Sequence, residues 1–105
     1  MNKYLLVYYG GKMENDPKKA QASMAAWMKW FQDLGKSVVD GGAPTMPGKT
    51  VSGKSVKEGV IGDPITGYSV LQAENWDKVV VMTKKCPHLG AGGQIAIYET
   101  MPMKM

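Results

Sequence analysis

The stretch DPKKAQASMAAWMKWFQDLG, residues 16–35, predicts the long helix around which the rest of the fold is placed. Asp16 offers an N-cap carboxylate, Pro17 suits the first helical position and Gly35 suits the C-cap. Trp30 falls at the edge of the apolar stripe, so it either borders the core or meets a second subunit. The stripe itself predicts a core-facing side made of Ala20, Met24, Trp27, Met28, Phe31 and Leu34.

Strand signals lie on both sides of this helix. Residues 3–9 are apolar or aromatic throughout, as in a strand covered on both faces, and residues 36–40 carry a shorter signal. Residues 67–73 and 94–99 predict two further strands. Residues 45–66, rich in glycine and proline, predict an irregular hairpin or a long loop.

A second helix is predicted from Asn75, which can cap it, to the lysines just before Cys86. Pro87 ends it. One face of this helix carries Trp76, Val79, Val80 and Thr83. Cys86 is interpreted as a small buried hydrophobic residue. The order of elements predicts an α+β, ferredoxin-like βαββαβ domain with both helices on one face of an antiparallel sheet.

The other face of that sheet needs a cover. The first strand has no polar side, because Tyr4, Leu6 and Tyr8 alternate with Leu5, Val7 and Tyr9. Pairing with a second sheet would bury the apolar face. The sequence therefore predicts a homodimer in which two sheets form an α/β barrel.

Composition limits the classes of function. A length of 105 residues predicts a single domain, residues 1–105. One cysteine, no signal peptide and no long apolar run predict a cytoplasmic protein without a membrane partner. All thirteen cationic side chains are scattered lysines, which predicts no nucleic-acid partner. An RNA-recognition module stays open as an alternative because it shares the βαββαβ plan, unless the sheet is covered.

The lone histidine marks the candidate site. His88 follows Cys86 in a glycine-rich loop before the last strand, and with Asp40 or Asp63 it could form an acid–base pair. The alternatives are that His88 caps the second helix and that Asp40 holds a turn by binding the backbone of Gly42. One histidine and one cysteine cannot build a zinc site within one chain, so neither metal nor cofactor is predicted.

Several segments, taken in order, are similar to the YCII-related family, also called the DGPF-domain family, of the dimeric α/β-barrel superfamily. They are residues 4–8, 30–42, 65–73, Cys86-Pro87-His88-Leu89, 92–95 and 98–99. The family signature Asp-Gly-Pro-Phe stands here as Gly62-Asp63-Pro64-Ile65. Met24 lies near the place where some members carry a histidine. The resemblance implies a ferredoxin-like protomer, a dimer of packed sheets and a pocket between sheet, helices and loops.

Two functions follow as expectations. The first is a dimeric barrel that binds a small molecule, with cofactor-free acid–base chemistry on a carbonyl- or lactone-like metabolite. His88 then acts as acid–base catalyst, Asp40 is its partner or a ligand contact, and Asp63, Tyr68 and Trp27 bind the ligand. The second is a non-catalytic regulatory or protein-interaction module that uses the loop of residues 45–66.

Overall fold

The computed structural model describes residues 1–11 and 15–103. A four-stranded antiparallel sheet has the order β2-β5-β1-β6, and β3 and β4 form a separate two-stranded hairpin. The elements are β1 (Asn2–Tyr9), α1 (Pro17–Leu34), a 3-10 turn (Gly35–Ser37), β2 (Val38–Pro44), β3 (Lys49–Ser52), β4 (Ser55–Glu58), β5 (Ile65–Ala73), α2 (Trp76–Lys84), α3 (Pro87–Gly90) and β6 (Gln94–Glu99). The polar residues 12–16 predict a loop, of which residues 12–14 lie outside the described residues.

This topology confirms the ferredoxin-like α+β prediction. Strand β1 pairs antiparallel with β5 on one side and β6 on the other, so Leu5 lies between Val70 and Tyr98. Residues 45–66, predicted to form an irregular hairpin or a long loop, contain the β3–β4 hairpin. Strand β2 is longer than predicted, because it continues to Pro44 through irregular pairing with β5.

Helix α1 begins and ends where its caps predict. The carboxylate of Asp16 accepts from the backbone of Lys18 at 3.0 Å, and Gly35, with a φ of 54°, donates its N–H to Phe31. The predicted core-facing stripe is wrong in two members, because Met24 is 66% exposed and Met28 is 60% exposed.

The buried residue of α1 is instead Trp30, which is 5% exposed. Its indole Nε1 donates to the carbonyl of Met82 at 3.0 Å, so the helix turns this ring toward α2. A hydrogen bond for the indole lets a large side chain be buried fully, which the periodicity of the sequence does not report. Because α1 turns Trp30 inward, its side with Met24 and Met28 lies over an open groove.

Helix α2 and the segment after it follow the prediction closely. Asn75 caps α2 by accepting from the backbone of Lys78 at 3.0 Å, and Val79 and Thr83 are buried. Cys86 is 3% exposed, which confirms its interpretation as a buried hydrophobic residue. The single-turn helix α3 was not predicted; it lies within the expected glycine-rich loop.

The two faces of the sheet differ in their cover. The helices cover the face that carries Tyr4, Leu6 and Leu71, all fully buried. By alternation along the strands, the other side chains form what we call the outer face. Its apolar side chains are Leu5, Val7, Tyr9, Tyr68, Val70, Ala96 and Tyr98, of which Tyr98 is 55% exposed, and the polar side chains Lys3, Gln72 and Gln94 lie at its two ends. This face is largely apolar and has no helix on it in the described residues.

Replacing Tyr4 by phenylalanine is expected to leave the free energy of unfolding unchanged or to raise it by about 1 kcal/mol. The Tyr4 ring is fully buried and meets Trp76 edge to face at 5.1 Å. Its hydroxyl has no hydrogen-bond partner among the described residues. Folding therefore removes this polar group from water without forming a hydrogen bond that offsets the cost. Urea denaturation checks this, and a loss of more than about 1 kcal/mol would show that the hydroxyl is bonded.

Among the described residues, no helix has both the length and the apolar character needed to span a membrane.

Candidate functional site

A cavity of about 360 Å³ lies between α1 and one end of the sheet. It exists because the helix-facing side of β5 carries small residues there, Gly67 and Ser69. Further along the same side of β5, the larger Leu71 fills the space between sheet and helices. Strand β2 adds more small residues at its irregular pairing with β5. The lining residues are Tyr8, Trp27, Phe31, Gly41, Gly42, Ala43, Pro44, Thr66, Gly67, Tyr68, Ser69 and His88. We call this space the cavity.

Aromatic rings form the walls of the cavity. Trp27 lies edge to face on Tyr8, with ring centroids 5.4 Å apart, and its centroid is 5.9 Å from that of Phe31. His88 completes the wall, 5.2 Å from Tyr8 between ring centroids. These walls are flat and apolar, so they suit a planar ligand. Trp27, which the sequence predicts as a ligand contact, lines the cavity, and its contact with a ligand stays a prediction.

The position of His88 is set by three backbone elements. Its Nε2 lies 2.8 Å from the carbonyl oxygen of Tyr9, at the end of β1. The ring packs so closely on Gly11 and Gly93 that a Cβ on Gly93 would come within 2.1 Å of Nε2. The helix-capping alternative for this side chain is therefore not what the structure shows: the ring binds a strand carbonyl.

The bond to Tyr9 also fixes the tautomer of His88. A carbonyl oxygen only accepts, so Nε2 must carry the hydrogen. In the neutral ring Nδ1 is then the unprotonated, basic nitrogen. Within residues 1–11 and 15–103 no group hydrogen-bonds to Nδ1. One nitrogen of this half-buried imidazole is therefore anchored on the backbone, and the other is available to a ligand.

The structure does not bring either aspartate to His88. The carboxylate of Asp40 is exposed and accepts from the backbone N–H of Gly42 at 2.8 Å, as in the alternative interpretation of a turn. Asp63 lies in a separate surface depression with Tyr9 and Gln94. The carbonyl of Tyr9, and not a carboxylate, therefore orients the imidazole of His88.

Tyr68 borders the cavity, but its ring belongs to the other side of the sheet. Gly67 and Ser69 face the helices, so alternation directs the side chain between them to the outer face. The backbone of Tyr68 is what approaches the cavity, since its carbonyl oxygen lies 1.7 Å from the place a Cβ on Gly42 would take.

Two functional candidates were not expected from the sequence. The hydroxyl of Tyr8 donates to Oγ of Ser69 at 2.7 Å, and Ser69 donates to the carbonyl of Gly41 at 2.7 Å. Both residues line the cavity. A serine among the core-facing residues of a buried strand was the available signal. Its meaning depended on the pairing of β1 with β5, which local patterns do not give.

Burial raises the pKa of Tyr8 to about 12, although the bond to Ser69 acts in the opposite direction. The phenol therefore stays neutral across the physiological range. At neutral pH Tyr8 acts in the cavity as a hydrogen-bonding group and not as a charge.

The Cys86 thiol is expected to resist alkylation in the folded protein. Burial raises its pKa to about 11, so at pH 8 the reactive thiolate is nearly absent. Incubation with iodoacetamide at pH 8, followed by mass measurement, should show no adduct within an hour, and full modification in 6 M guanidinium. Rapid labelling of the native protein would show that Cys86 is accessible.

A second space, which we call the outer groove, adjoins the cavity. It measures about 640 Å³ and shares Trp27, Phe31, Pro44, Thr66 and His88 with the cavity. Its outer wall carries Met24 and Met28 from α1. The groove gives a path from solvent to the cavity that passes the imidazole. In the described part of the chain, no three His, Cys, Asp or Glu side chains come together as a metal site.

Comparison with known proteins shows the fold of the chain. No protein-family model matches the chain, and no curated protein matches it in sequence. One similar solved structure is the 5-chloro-2-hydroxyhydroquinone dehydrochlorinase TftG from Burkholderia phenoliruptrix AC1100, in complex with 2,5-dihydroxybenzoquinone. The two chains are 18% identical, 93% of each is covered, and the TM-score is 0.56. The chain shares the fold of this small-molecule enzyme.

Proposed function

We propose that the chain forms a homodimeric α/β barrel of the YCII-related type that binds a small metabolite and moves a proton on it without a cofactor. The substrate class is a carbonyl- or lactone-like compound that interconverts with its enol. One observation carries the proposal: His88 lines an apolar cavity of about 360 Å³ with Nε2 anchored on Tyr9 and Nδ1 available.

The proton transfer needs only this imidazole. Nδ1 of His88 accepts a proton from the carbon next to the carbonyl, and the electron pair of the C–H bond forms the enolate. The imidazolium, whose Nε2–H remains bonded to the carbonyl of Tyr9, returns the proton to the oxygen or to another carbon. A carbonyl stabilises the cationic ring, because a charge-assisted bond is stronger than a neutral one. Apolar walls exclude water from the enolate.

Asp40 has a positioning role in this proposal. It holds the backbone of Gly42 at the irregular part of β2, which also presents the carbonyl of Gly41 to Ser69. Asp40 thereby shapes the cavity wall without touching the ligand. Asp63, in its separate depression, and the Tyr68 side chain on the outer face contact no ligand in the cavity.

The similarity to TftG supports the proposal at the level of chemistry. That protein is named for acting on a hydroxylated, chlorinated ring and was solved with a dihydroxybenzoquinone. A single ring of this kind matches the size and the aromatic walls of the cavity described above. The substrate of the present chain is a proposal from its own residues.

The homodimer is supported by the outer face. Leu5 lies at its centre, between Val70 and Tyr98, and a second copy of the same face would cover it. Sedimentation equilibrium should give a dimer, and Leu5→Lys should raise the dissociation constant at least a hundredfold, because a lysine ammonium would be buried there.

Val51→Lys is the matched control for that measurement. It makes the same change at a side chain that is 68% exposed on the hairpin, so the dimer should persist. A wild-type monomer, or a Leu5→Lys variant that dimerises as well as wild type, would contradict the proposed interface.

Deuterium exchange tests the chemistry directly. The protein is incubated in D2O with 2-hydroxycyclohex-2-en-1-one, cyclohexanone or α-angelica lactone, and loss of each C–H signal is followed by proton NMR. We expect the protein to accelerate exchange for at least one of them beyond free imidazole at equal concentration. No acceleration for any of the three would contradict proton transfer as the function.

The second candidate is a non-catalytic interaction module. Its supporting observation is the hairpin, where Val51 and Val56 pair across the strands and are 68% and 64% exposed. An interaction module does not need an open cavity beside its histidine, so the geometry favours the first function. Absence of exchange activity together with a dimer that Val51→Lys disrupts would favour the module.

A further inference from the structure

We infer that the cavity selects a planar ring that bears hydroxyl groups, because the hydroxyl and imidazole side chains of its wall accept hydrogen bonds from the ligand and do not donate to it. The inference rests on the proposed function and narrows its substrate to the hydroxyl form, a phenol or an enol. It follows from where each polar side chain of the cavity wall places its own hydrogen.

The first hydrogen is that of Ser69. This side chain is fully buried, and its Oγ lies 2.7 Å from the carbonyl oxygen of Gly41, which can only accept. The single hydroxyl hydrogen of Ser69 is therefore used. The contact between Ser69 and Tyr8 at 2.7 Å must then be donated by the phenol. Because the carbonyl of Gly41 can only accept, it fixes which group donates in both hydrogen bonds.

Tyr8 consequently faces the cavity with oxygen lone pairs and no free hydrogen. Its high pKa keeps the phenol protonated, so this arrangement holds at neutral pH. Each bond in such a chain polarises the next, which makes the oxygen of Tyr8 a better acceptor than an isolated phenol.

Thr66 and His88, which also line the cavity, place their hydrogens in the same way. Thr66 Oγ1 donates toward the carbonyls of Tyr8 and Gly10, at 3.2 and 3.3 Å. His88 donates its Nε2–H to Tyr9 and keeps a lone pair on Nδ1. The three hydroxyl side chains and the imidazole of the wall thus have their hydrogens bound to protein oxygens, and the indole N–H of Trp27 is the other side-chain donor there. A ligand that only accepts would leave these lone pairs unpaired, at a cost.

The aromatic walls define the rest of the ligand. Trp27, Phe31 and Tyr8 present flat apolar surfaces, and about 360 Å³ is near the small end of ligand pockets, roughly 300–1,000 Å³. A single planar ring with one or more hydroxyls would pack against the aromatic walls and donate hydrogen bonds to the accepting side chains. No lysine lines the cavity, so an anionic ligand would have no ion-pair partner there.

A graded series of probes tests the polarity. Resorcinol, 3-methoxyphenol and 1,3-dimethoxybenzene carry two, one and no hydroxyl hydrogens on the same ring, and binding to the full-length protein is measured by titration calorimetry. Transfer from water favours the dimethoxy compound, so a preference for the diol reports hydrogen bonds. We expect resorcinol to bind at least tenfold more tightly than 1,3-dimethoxybenzene, with 3-methoxyphenol between them.

Variants of the hydroxyl chain assign the effect. Tyr8→Phe removes the acceptor and keeps the ring, and should reduce the preference below threefold. Ser69→Ala frees the Tyr8 hydrogen, so 1,3-dimethoxybenzene should gain affinity while resorcinol loses it. A merely structural role of Ser69 would weaken all three probes equally. Tyr98→Phe makes the same change on the outer face and should keep the wild-type preference.

Three results would overturn the inference: a dimethoxy probe that binds wild type as well as the diol, a full preference in Tyr8→Phe, or no binding of any probe at millimolar concentration. If Tyr8→Phe does not fold, judged by circular dichroism, Ser69→Ala decides by its opposite effects on two probes. These are binding measurements, so the deuterium-exchange assay can succeed or fail independently and the two proposals are separable.

Discussion

Replacement of His88 by glutamine is expected to slow the protein-catalysed deuterium exchange at least a hundredfold. The glutamine amide can still donate to the carbonyl of Tyr9, where Nε2 of the histidine lies at 2.8 Å. It offers no basic nitrogen, and a positioned general base contributes roughly 10²–10⁴-fold to rate. Exchange rates by proton NMR at matched protein concentrations measure the effect.

A second variant separates the chemistry of the imidazole from its position. In Gly93→Ala the new Cβ would lie 2.1 Å from Nε2 of His88, so the ring must leave the carbonyl of Tyr9. The histidine is kept but the tautomer is no longer fixed, and exchange should fall at least tenfold. Gly90→Ala is the matched control, because nothing lies within 4 Å of its Cβ.

The contrast between these variants carries the interpretation. Loss of exchange in His88→Gln and Gly93→Ala with near-normal rates in Gly90→Ala supports an anchored base. Wild-type exchange in His88→Gln would show that another group takes the proton. Wild-type exchange in Gly93→Ala would show that the bond to Tyr9 has no part in the reaction.

Gly42→Ala is expected to reduce the free energy of unfolding by about 3–5 kcal/mol or to prevent folding. The added Cβ would lie 1.7 Å from the carbonyl oxygen of Tyr68 and 2.6 Å from its carbonyl carbon. These are backbone atoms of a paired strand, so relief requires β2 to separate from β5. The φ of 76° adds strain for any residue with a Cβ. Urea denaturation measures the loss.

Gly53→Ala isolates the conformational part of that cost. Gly53 has a φ of 57°, and nothing lies within 4 Å of the position of its Cβ. The loss there should be about 1 kcal/mol, the strain of a left-handed alanine alone. If Gly42→Ala costs no more than Gly53→Ala, the close approach of β2 to Tyr68 is not as the structure shows.

The sequence predicted the elements that have local chemical signals, such as helix caps. It did not predict contacts that depend on how distant elements pack together. Asp16 and Asn75 cap the helices as predicted, because a cap is a relation between near neighbours. Trp30 was placed at the edge of the stripe, whereas it is the buried residue of α1. Its partner is a carbonyl of α2, 52 positions away in sequence, which no helical periodicity contains.

The candidate site shows the same division. His88 and Trp27 were named from residue type and position, and both line the cavity. The anchor of His88 is a backbone carbonyl, which any residue at position 9 supplies and which therefore leaves no trace in the sequence. Ser69 gains its meaning from Gly41 and Tyr8, brought together by sheet pairing. The proposed carboxylate partner was a guess from chemistry, and Asp40 binds Gly42 instead.

The adjacent tyrosines of β1 have a consequence for how this protein can change over evolutionary time. Tyr8 faces inward to the cavity, and its neighbour Tyr9 faces outward while its carbonyl holds His88. A single-residue insertion upstream of them in this strand would exchange inward and outward side chains together. The lining of the cavity and the apolar outer face would be lost in one genetic event, so the spacing within these eight residues tolerates substitution but not a change of length.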